Sequence, residues 1–480
     1  MKQKAFVVLW ALSVGLISGC QQLDNNSPQN ATTPTIEANA TINRQLAKQA
    51  LNSTLAYDIV ESLTVEVGPR LAGTEQDLIA VDWAVKKLTH LGFDKVYKEP
   101  VQVPVWLRGY ASASITAPYP QPLVITALGG SVATPKEGIT APIIRFDDLQ
   151  SLIEANAADV KGKIVFIDHK TERHRTAKGY VMTVGGRSKG AVEAAKKGAV
   201  AVVIRSIGTD HDRMAHTGMM RYQNDVVKIP AAAMSNPDAD LINAMLKRQQ
   251  PITLSLNLSS QNRGVATSYN VIAEVTGSTK PEEVVLISAH LDSWDEGTGA
   301  IDDGAGVAIV AAAGKLIQDL PQKPARTIRV VLYAAEELGL VGGKAYAKAH
   351  AQEMAKHYIA TESDFGAGRI YQLDVKVNPE VVDKVLQEHA LLSEVGVAPG
   401  NNNAYGGPDV SMLPKLGVPV ASLRQDGTDY FDYHHTPNDT LDKIDPEALA
   451  QNVAVYAQFA YTMAQSTIDL RPLVQPKANQ

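Results

Sequence analysis

The sequence predicts an α/β protein: a mixed, mainly parallel sheet flanked by helices, with a second, β-rich domain inserted into the chain. Three observations predict it. From Tyr269 onward, strand-like runs at 270–275, 283–288 and 327–333 alternate with helical runs at 304–320 and 343–355. Strands apolar on both faces, with helices between them, belong in a sheet covered on both sides. Residues 114–263 have a different texture, with short β-rich runs at 162–167 and 199–204 around a helical stretch at 190–197. Finally, 480 residues that are 45% hydrophobic and 20% charged can build more than one core and carry no fibrous or disordered bias.

Taken in order, the chain opens with Lys2 and Lys4, an apolar run over 5–17, then Ser18 and Gly19 before Cys20, which reads as an export signal over 1–19. The run is shorter than the ~20 apolar residues a spanning helix needs, and no later segment is as apolar, so no transmembrane helix is expected. Ile17-Ser18-Gly19-Cys20 resembles a bacterial lipobox, which implies lipidation of Cys20. Gln21 fits sorting to the outer membrane, facing the periplasm, with membrane contact through the lipid alone. Cys20 is the only cysteine, so the folded part holds no disulfide. Residues 20–40, rich in Asn, Thr, Pro and Gln, suit a flexible tether. Loss of Lys2 and Lys4 with the signal takes the net charge from −6 to −8, so nucleic acid is not an expected partner.

Helical spacing over 53–91 is broken at Gly68-Pro69-Arg70-Leu71-Ala72-Gly73-Thr74, a turn between two helices, and 95–105 reads as a strand. The domains expected are therefore 41–113 with 264–470, interrupted by 114–263 and followed by a tail at 471–480.

In an open parallel sheet the ligand site lies at the carboxyl ends of the strands. The strand at 284–288 runs into His290-Leu291-Asp292, where a carboxylate near an imidazole can hold its second nitrogen and fix the tautomer. Asp302-Asp303-Gly304 opens the next helix; paired acids there also serve as ordinary caps. The strand at 327–333 ends before Glu336-Glu337, where one glutamate can bind a metal while its neighbour faces a water as base; a solvated acidic turn is the bland alternative. Glu362-Ser363-Asp364 follows a further strand, and His434-His435-Thr436-Pro437-Asn438-Asp439-Thr440 supplies the second imidazole. Two histidines and several carboxylates at successive element ends form a mixed N/O set suited to zinc and to carboxylate-bridged two-metal hydrolysis.

With these residues the chain resembles the double-zinc peptidases that include leucyl aminopeptidases and glutamate carboxypeptidase, nearest the carboxypeptidase Q branch. The motifs stand in that family's order, and 68–74 resembles its N-terminal signature. The resemblance implies the zinc aminopeptidase-like phosphorylase/hydrolase fold with an inserted protease-associated domain. It implies two Zn²⁺ per chain, Asp302 bridging, with His290 and Asp364 on one ion and Glu337 and His435 on the other. His434 is the alternative to His435. Glu336 is then the general base toward a water shared by the zincs, Asp292 and Asp439 support the ligands, and a cis Asp302–Asp303 peptide is expected. Asp409, His216, Arg221 and Tyr222 are candidates for contacting a peptide substrate. A homodimer is implied by the resemblance alone. The expected activity is metal-dependent hydrolysis of dipeptides or short peptides with a free terminus. A broad aminopeptidase, a single-zinc acyl-transfer enzyme like glutaminyl cyclase and an inactive binding protein on the same fold are the rival readings.

Overall fold

The structure, a computed structural model, describes residues 33–471 and 473, so the export signal, Cys20 and the tether up to residue 32 lie outside the described residues. Helix α1 (Thr33–Leu51) begins inside the stretch expected as tether. Tertiary contact explains it: Leu46, Ala47 and Ala50 are buried, and Gln458 of the C-terminal helix donates to Asn43 O at 3.2 Å. Among the described residues no helix is long and apolar enough to cross a membrane.

Helices α2 (Leu55–Glu66) and α3 (Glu75–His90) flank the 68–74 turn, with Thr74 capping α3 and the Asp77 carboxylate accepting from Gly73 N at 2.8 Å. Strand β1 (Lys95–Leu107) then pairs antiparallel with β2 (Gln261–Val275), from Lys95 opposite Glu274 to Leu107 opposite Gln261. The chain between them leaves from the tip of this ribbon and returns to it. That intervening part forms its own eight-stranded sheet, whose centre pairs 139–146, 164–167, 201–205 and 231–234 in parallel. Its main helix, α4 (Lys178–Lys196), starts well before the 190–197 stretch read from sequence. The glycines that obscured its periodicity have a packing role: a β-carbon on Gly190 would stand 2.8 Å from Ile167 Cδ1, so only glycine lets the helix lie on that strand.

The larger sheet continues with β3 (Lys280–His290), β4 (Arg326–Tyr333), β5 (His357–Glu362), β6 (Ile370–Lys376), β7 (Ala398–Pro399) and β8 (Val420–Gln425) in the spatial order β1-β2-β4-β3-β5-β8-β6-β7. Its centre, β4-β3-β5-β8, is parallel, and β2 and β6 join antiparallel on either side. Helix α5 (Ala305–Gln318) is buried almost all round against β3 and the C-terminal helix, which is why its sequence is apolar on every face; α6 (Val341–Ala349) and α7 (Pro446–Gln465) complete the layers. The parallel order brings the carboxyl ends of β3, β4 and β5 to one edge, and there His290 closes β3 and Glu362 closes β5.

One buried imidazole ties this packing to pH. His389 stacks on Phe459 with its Nδ1–H donating to Val385 O at 2.8 Å, and burial pushes its pKa down to about 4. The folded protein thus binds that proton more weakly than the unfolded chain, whose histidine titrates near ~6.5. The stability it confers is complete above that value and is lost as pH falls toward 4. Denaturant titrations at pH 7 and pH 5 should show His389→Leu losing about 2 kcal/mol less than the parent between the two pH values; equal losses would refute the assignment.

Candidate metal centre

The centre is assembled from five chain segments, each delivered by the end of a strand or a tight loop. His290 ends β3. Asp302 and Asp303 lie in the turn before α5, joined by a cis peptide as expected. Glu336 and Glu337 follow β4, and Asp364 follows β5; the last contribution, His434-His435, comes from the loop after the short helix Tyr430–Tyr433. All five candidate ligands therefore meet. His290 Nε2 lies 3.1 Å from Asp302 Oδ1 and 3.6 Å from Asp364 Oδ1. On the other side of Asp302, His435 Nε2 lies 3.3 Å from its Oδ2 and 2.9 Å from Glu337 Oε2. His434 Nε2 is farther, 3.7 Å from Asp302 Oδ2, and its ring stacks on that of His435 at 3.5 Å. Two sets of potential ligand atoms can each enclose an ion, His290/Asp302/Asp364 and Asp302/His434/His435, and they share Asp302.

The donor chemistry fits a cation. His290 Nδ1 faces the Asp292 backbone carbonyl at 3.0 Å, and a carbonyl only accepts, so the proton sits on Nδ1 and the Nε2 lone pair points at carboxylate oxygens. His435 Nδ1 lies 3.3 Å from Thr217 O and 3.4 Å from the Arg187 guanidinium, and its Nε2 is aimed at Glu337 and Asp302. Lone pair facing lone pair is repulsive unless a proton or a metal ion lies between. Glu337 adds to the case: Trp294 Nε1 donates to its Oε2 at 2.6 Å, but its buried Oε1 has no partner among the described residues. Burial and the surrounding negative charge push the carboxyls of Glu336, Glu337 and Asp364 up, Asp364 acting on Glu336 and Asp302 on Glu337. Burial also opposes charge on Asp302, yet the His290 and His435 imidazoles against its two oxygens hold it well below the usual carboxylate range.

The supporting carboxylates act on backbone as well. The Asp292 carboxylate lies 3.6 Å from His290 Nδ1, as expected, with the Asp292 carbonyl closer at 3.0 Å, and the same carboxylate accepts from Glu336 N at 3.0 Å and Glu337 N at 3.3 Å. Asp439, expected beside His435, accepts from Ile301 N at 2.6 Å and Asp302 N at 3.2 Å. Asp303 accepts from His290 N at 3.1 Å and Gly306 N at 3.0 Å, so it is cap and brace at once.

Of the four substrate-contact candidates, two are committed elsewhere. His216 is buried, its Nδ1 2.8 Å from His434 O and its Nε2 2.6 Å from Asp210, so it braces the histidine loop. The Tyr222 hydroxyl donates to Ile229 O at 2.6 Å inside the inserted domain. Asp409 is buried, with Oδ1 accepting from Gly343 N at 3.0 Å and Oδ2 without a hydrogen-bond partner among the described residues. Arg221 is exposed at the edge of the turn carrying Glu336.

Residues that sequence reading missed complete the setting. Arg70, fully buried, donates to Leu291 O, to Thr298 O at 2.7 Å and to Gly299 O at 2.9 Å. Its signal was present, a lone cation between Gly68 and Gly73, but nothing local says which carbonyls it meets. The inserted domain contributes Arg187, whose guanidinium reaches Thr217 O and the His435 ring, and Tyr180, stacked on Phe431 at 4.8 Å. Arg108 ties Asp295 to Thr126 and Thr217.

Known proteins agree with this picture. The pattern of Peptidase family M28 matches residues 270–460 and that of the PA domain matches 122–242. Carboxypeptidase Q of Bos taurus is 34% identical over 97% of this chain and 98% of that protein; the Homo sapiens protein is 36% identical over 89% and 88%. The crystal structure of a Peptidase M28 precursor from Shewanella amazonensis SB2B shares 70% identity and a TM-score of 0.91 over 92% of this chain and 100% of that one. A zinc aminopeptidase from Bacillus subtilis, 21% identical with a TM-score of 0.62 over 85% and 94%, shares the fold.

Arg70 offers a direct test of how the loops are held. Arg70→Met leaves three buried carbonyls without their charged donor and should cost roughly 3 kcal/mol or more, read as a lower denaturant midpoint with Arg70→Lys intermediate. Coincident midpoints for all three proteins would show that the loops hold themselves.

Proposed function

Because this chain belongs to peptidase family M28, with carboxypeptidase Q as a full-length relative, we propose that it is a zinc-dependent exopeptidase acting on dipeptides or short peptides with a free terminus. The observation that carries the metal reading is the pair of imidazole Nε2 atoms, of His290 and His435, aimed at carboxylate oxygens on opposite sides of Asp302. In this reading His290, Asp302 and Asp364 would hold one zinc, and Asp302, Glu337 and His435 would hold a second. Oxygen and nitrogen donors of this kind suit zinc at a hydrolytic site. Zinc so held supplies Lewis acidity, lowering the pKa of water toward ~7 and polarising the scissile carbonyl.

The protein's own groups do the rest. Glu336 sits next to the ligand Glu337, and its backbone N–H is fixed by Asp292 at 3.0 Å, which aims the two side chains apart. No hydrogen bond holds its carboxylate among the described residues. It is therefore free to take a proton from the attacking water. After attack on the scissile carbonyl, the same carboxylic acid returns the proton to the leaving amine, whose neutral form departs. Trp294 keeps Glu337 oriented, and the inserted domain, through His216 and Thr217, fixes the loop that presents His435.

A broad aminopeptidase is the second reading, favoured by the Bacillus subtilis aminopeptidase YwaD, 25% identical over 88% of this chain. Export and a lipid anchor at Cys20 belong to the same proposal, and mass spectrometry of the mature N-terminus tests them.

The function is tested with unblocked dipeptides, N-blocked dipeptides and aminoacyl anilides on protein lacking the first 20 residues. Chelator-sensitive cleavage of unblocked dipeptides is expected, with about two zinc ions per chain by elemental analysis; anilide turnover selects the aminopeptidase. Glu336→Gln should lower kcat by at least ~10³ with metal content unchanged, and an active variant removes Glu336 from the mechanism. Chelation should also lower Tm, because the acids at the centre then face one another without a counter-charge; an unchanged Tm would argue against a resident metal.

A further inference from the structure

Glu337 and His435, the pair that would hold the second zinc, come from distant parts of the chain, and Trp294 stands against both. Its indole Nε1–H donates to Glu337 Oε2 at 2.6 Å, and its ring lies 5.6 Å from that of His435, inclined at 62°. The terminal torsion of a glutamate is broad and two-fold, so the Glu337 side chain does not by itself fix the plane of its carboxylate. The indole fixes it with an uncharged group that donates and cannot accept. An arginine or lysine there would pair with the carboxylate and offset the charge that a metal ion needs, whereas an indole leaves that charge in place.

The buried indole is in turn seated on the inserted domain. Gly129 lies against the far edge of its six-membered ring: a β-carbon on Gly129 would stand 2.1 Å from Trp294 Cη2 and 2.9 Å from Cζ3. Gly129 is outside the left-handed region, so its backbone does not call for glycine; the indole does. Its position is fixed by a bond to Gly218 O at 3.0 Å and one from Met220 N at 2.9 Å. The same strip of inserted-domain backbone meets the other ligand. Thr217 N donates to His435 O at 3.0 Å, and a β-carbon on Gly218 would stand 2.7 Å from His435 Nδ1. On its remaining sides the indole meets Trp106 edge-on at 6.2 Å and the Arg108 guanidinium 5.5 Å from its ring. A ring packed in this way cannot tilt without moving one of these neighbours.

We propose that Trp294 is a positioning residue for the Glu337–His435 pair and that Gly129 sets its place, so that the seating of the inserted domain governs how tightly that pair holds zinc. The proposal rests on the metal reading above. Groups that orient a ligand from outside the ligand set are worth ~10- to 100-fold in metal affinity. The hydrogen bond and the ring contact of Trp294 go to Glu337 and His435, so the zinc of His290 and Asp364 should be affected little.

The test is zinc affinity, measured by competition with a chromophoric chelator on protein lacking the first 20 residues; no turnover is needed. Trp294→Phe keeps a ring beside His435 and loses the N–H, so one zinc should bind at least about tenfold more weakly and the other as before. A double-mutant cycle assigns the loss. On Glu337→Ala, Trp294→Phe should cost less than about twofold more, and on Asp364→Ala the full loss should remain. Gly129→Ala should reproduce the loss, yet add less than about twofold to Trp294→Phe, because a phenyl ring ends short of where Cη2 and Cζ3 stood. If Gly129→Ala lowers Tm too far to be titrated, Trp294→Phe should restore it. Equal weakening of both zincs, or a loss undiminished on Glu337→Ala, overturns the proposal, since general loosening of the fold produces either. A Gly129→Ala protein that binds zinc as the parent does, or one that Trp294→Phe fails to restore, overturns the seat on Gly129. Parent protein holding a single zinc removes the two-zinc reading, and a loss on Trp294→Phe that requires Glu337 then still upholds the role of Trp294.

Discussion

The candidate centre depends on one repeated interaction, a carboxylate next to a ligand gripping the backbone amides of a different ligand's loop. Asp292, two residues after His290, holds Glu336 and Glu337. Asp439, four residues after His435, holds Ile301 and Asp302. Asp303, beside Asp302, holds His290. Glu362, two residues before Asp364, makes the same kind of bond to Asp409 N at 2.8 Å, in a loop that carries no candidate ligand. Each segment thus positions another, and a carboxylate that accepts two backbone N–H bonds is better compensated than one facing solvent-free space. The interlock lets a concentration of negative charge persist in a buried place.

Positive charge is used sparingly and at the back of this arrangement. Arg70 satisfies the carbonyls of the loops on either side of His290 and Asp302, and burial pushes its own pKa down while Asp439 and Asp292 oppose the shift. No cation is bonded to the ligand faces of Asp302, Glu337 or Asp364 among the described residues, which leaves the oxygen and nitrogen donors available to a metal. The inserted domain is part of the same design. It hangs on the β1–β2 ribbon, and its Thr217, His216 and Arg187 close over the His434-His435 loop. The second domain is needed to orient His435.

Much of the fold was legible because local pattern and burial agree. The runs at 284–287 and 330–332 are apolar at every position since β3 and β4 are covered on both faces. The same runs end in His, Asp and Glu because a parallel sheet sends its polar loops to one edge. What misled was composition without contacts. Residues 33–40 looked like tether, yet belong to a helix anchored by the far end of the chain. Glycines hid the periodicity of α4 because close packing, of Gly179 on Glu172 O and of Gly190 on Ile167, and not helix propensity, chose them. His216 looked like a loop residue because its partners, Asp210 and the His434 carbonyl, include one from the other end of the chain.

The sequence by itself determined the α/β class, the strand ends where polar residues gather, and the identities of the histidines and acids available there, since these follow from hydrophobic period and from which side chains carry lone pairs. Tertiary structure alone decided which acid faces a ligand nitrogen and which grips a backbone amide, and why His435 lies nearer Glu337 than its neighbour does. It alone seated Trp294 on Gly129 and buried Arg70 against three carbonyls. Those outcomes rest on contacts between segments far apart in the chain, whose distances are set by how two sheets and their covering helices pack, and no local pattern encodes a distance.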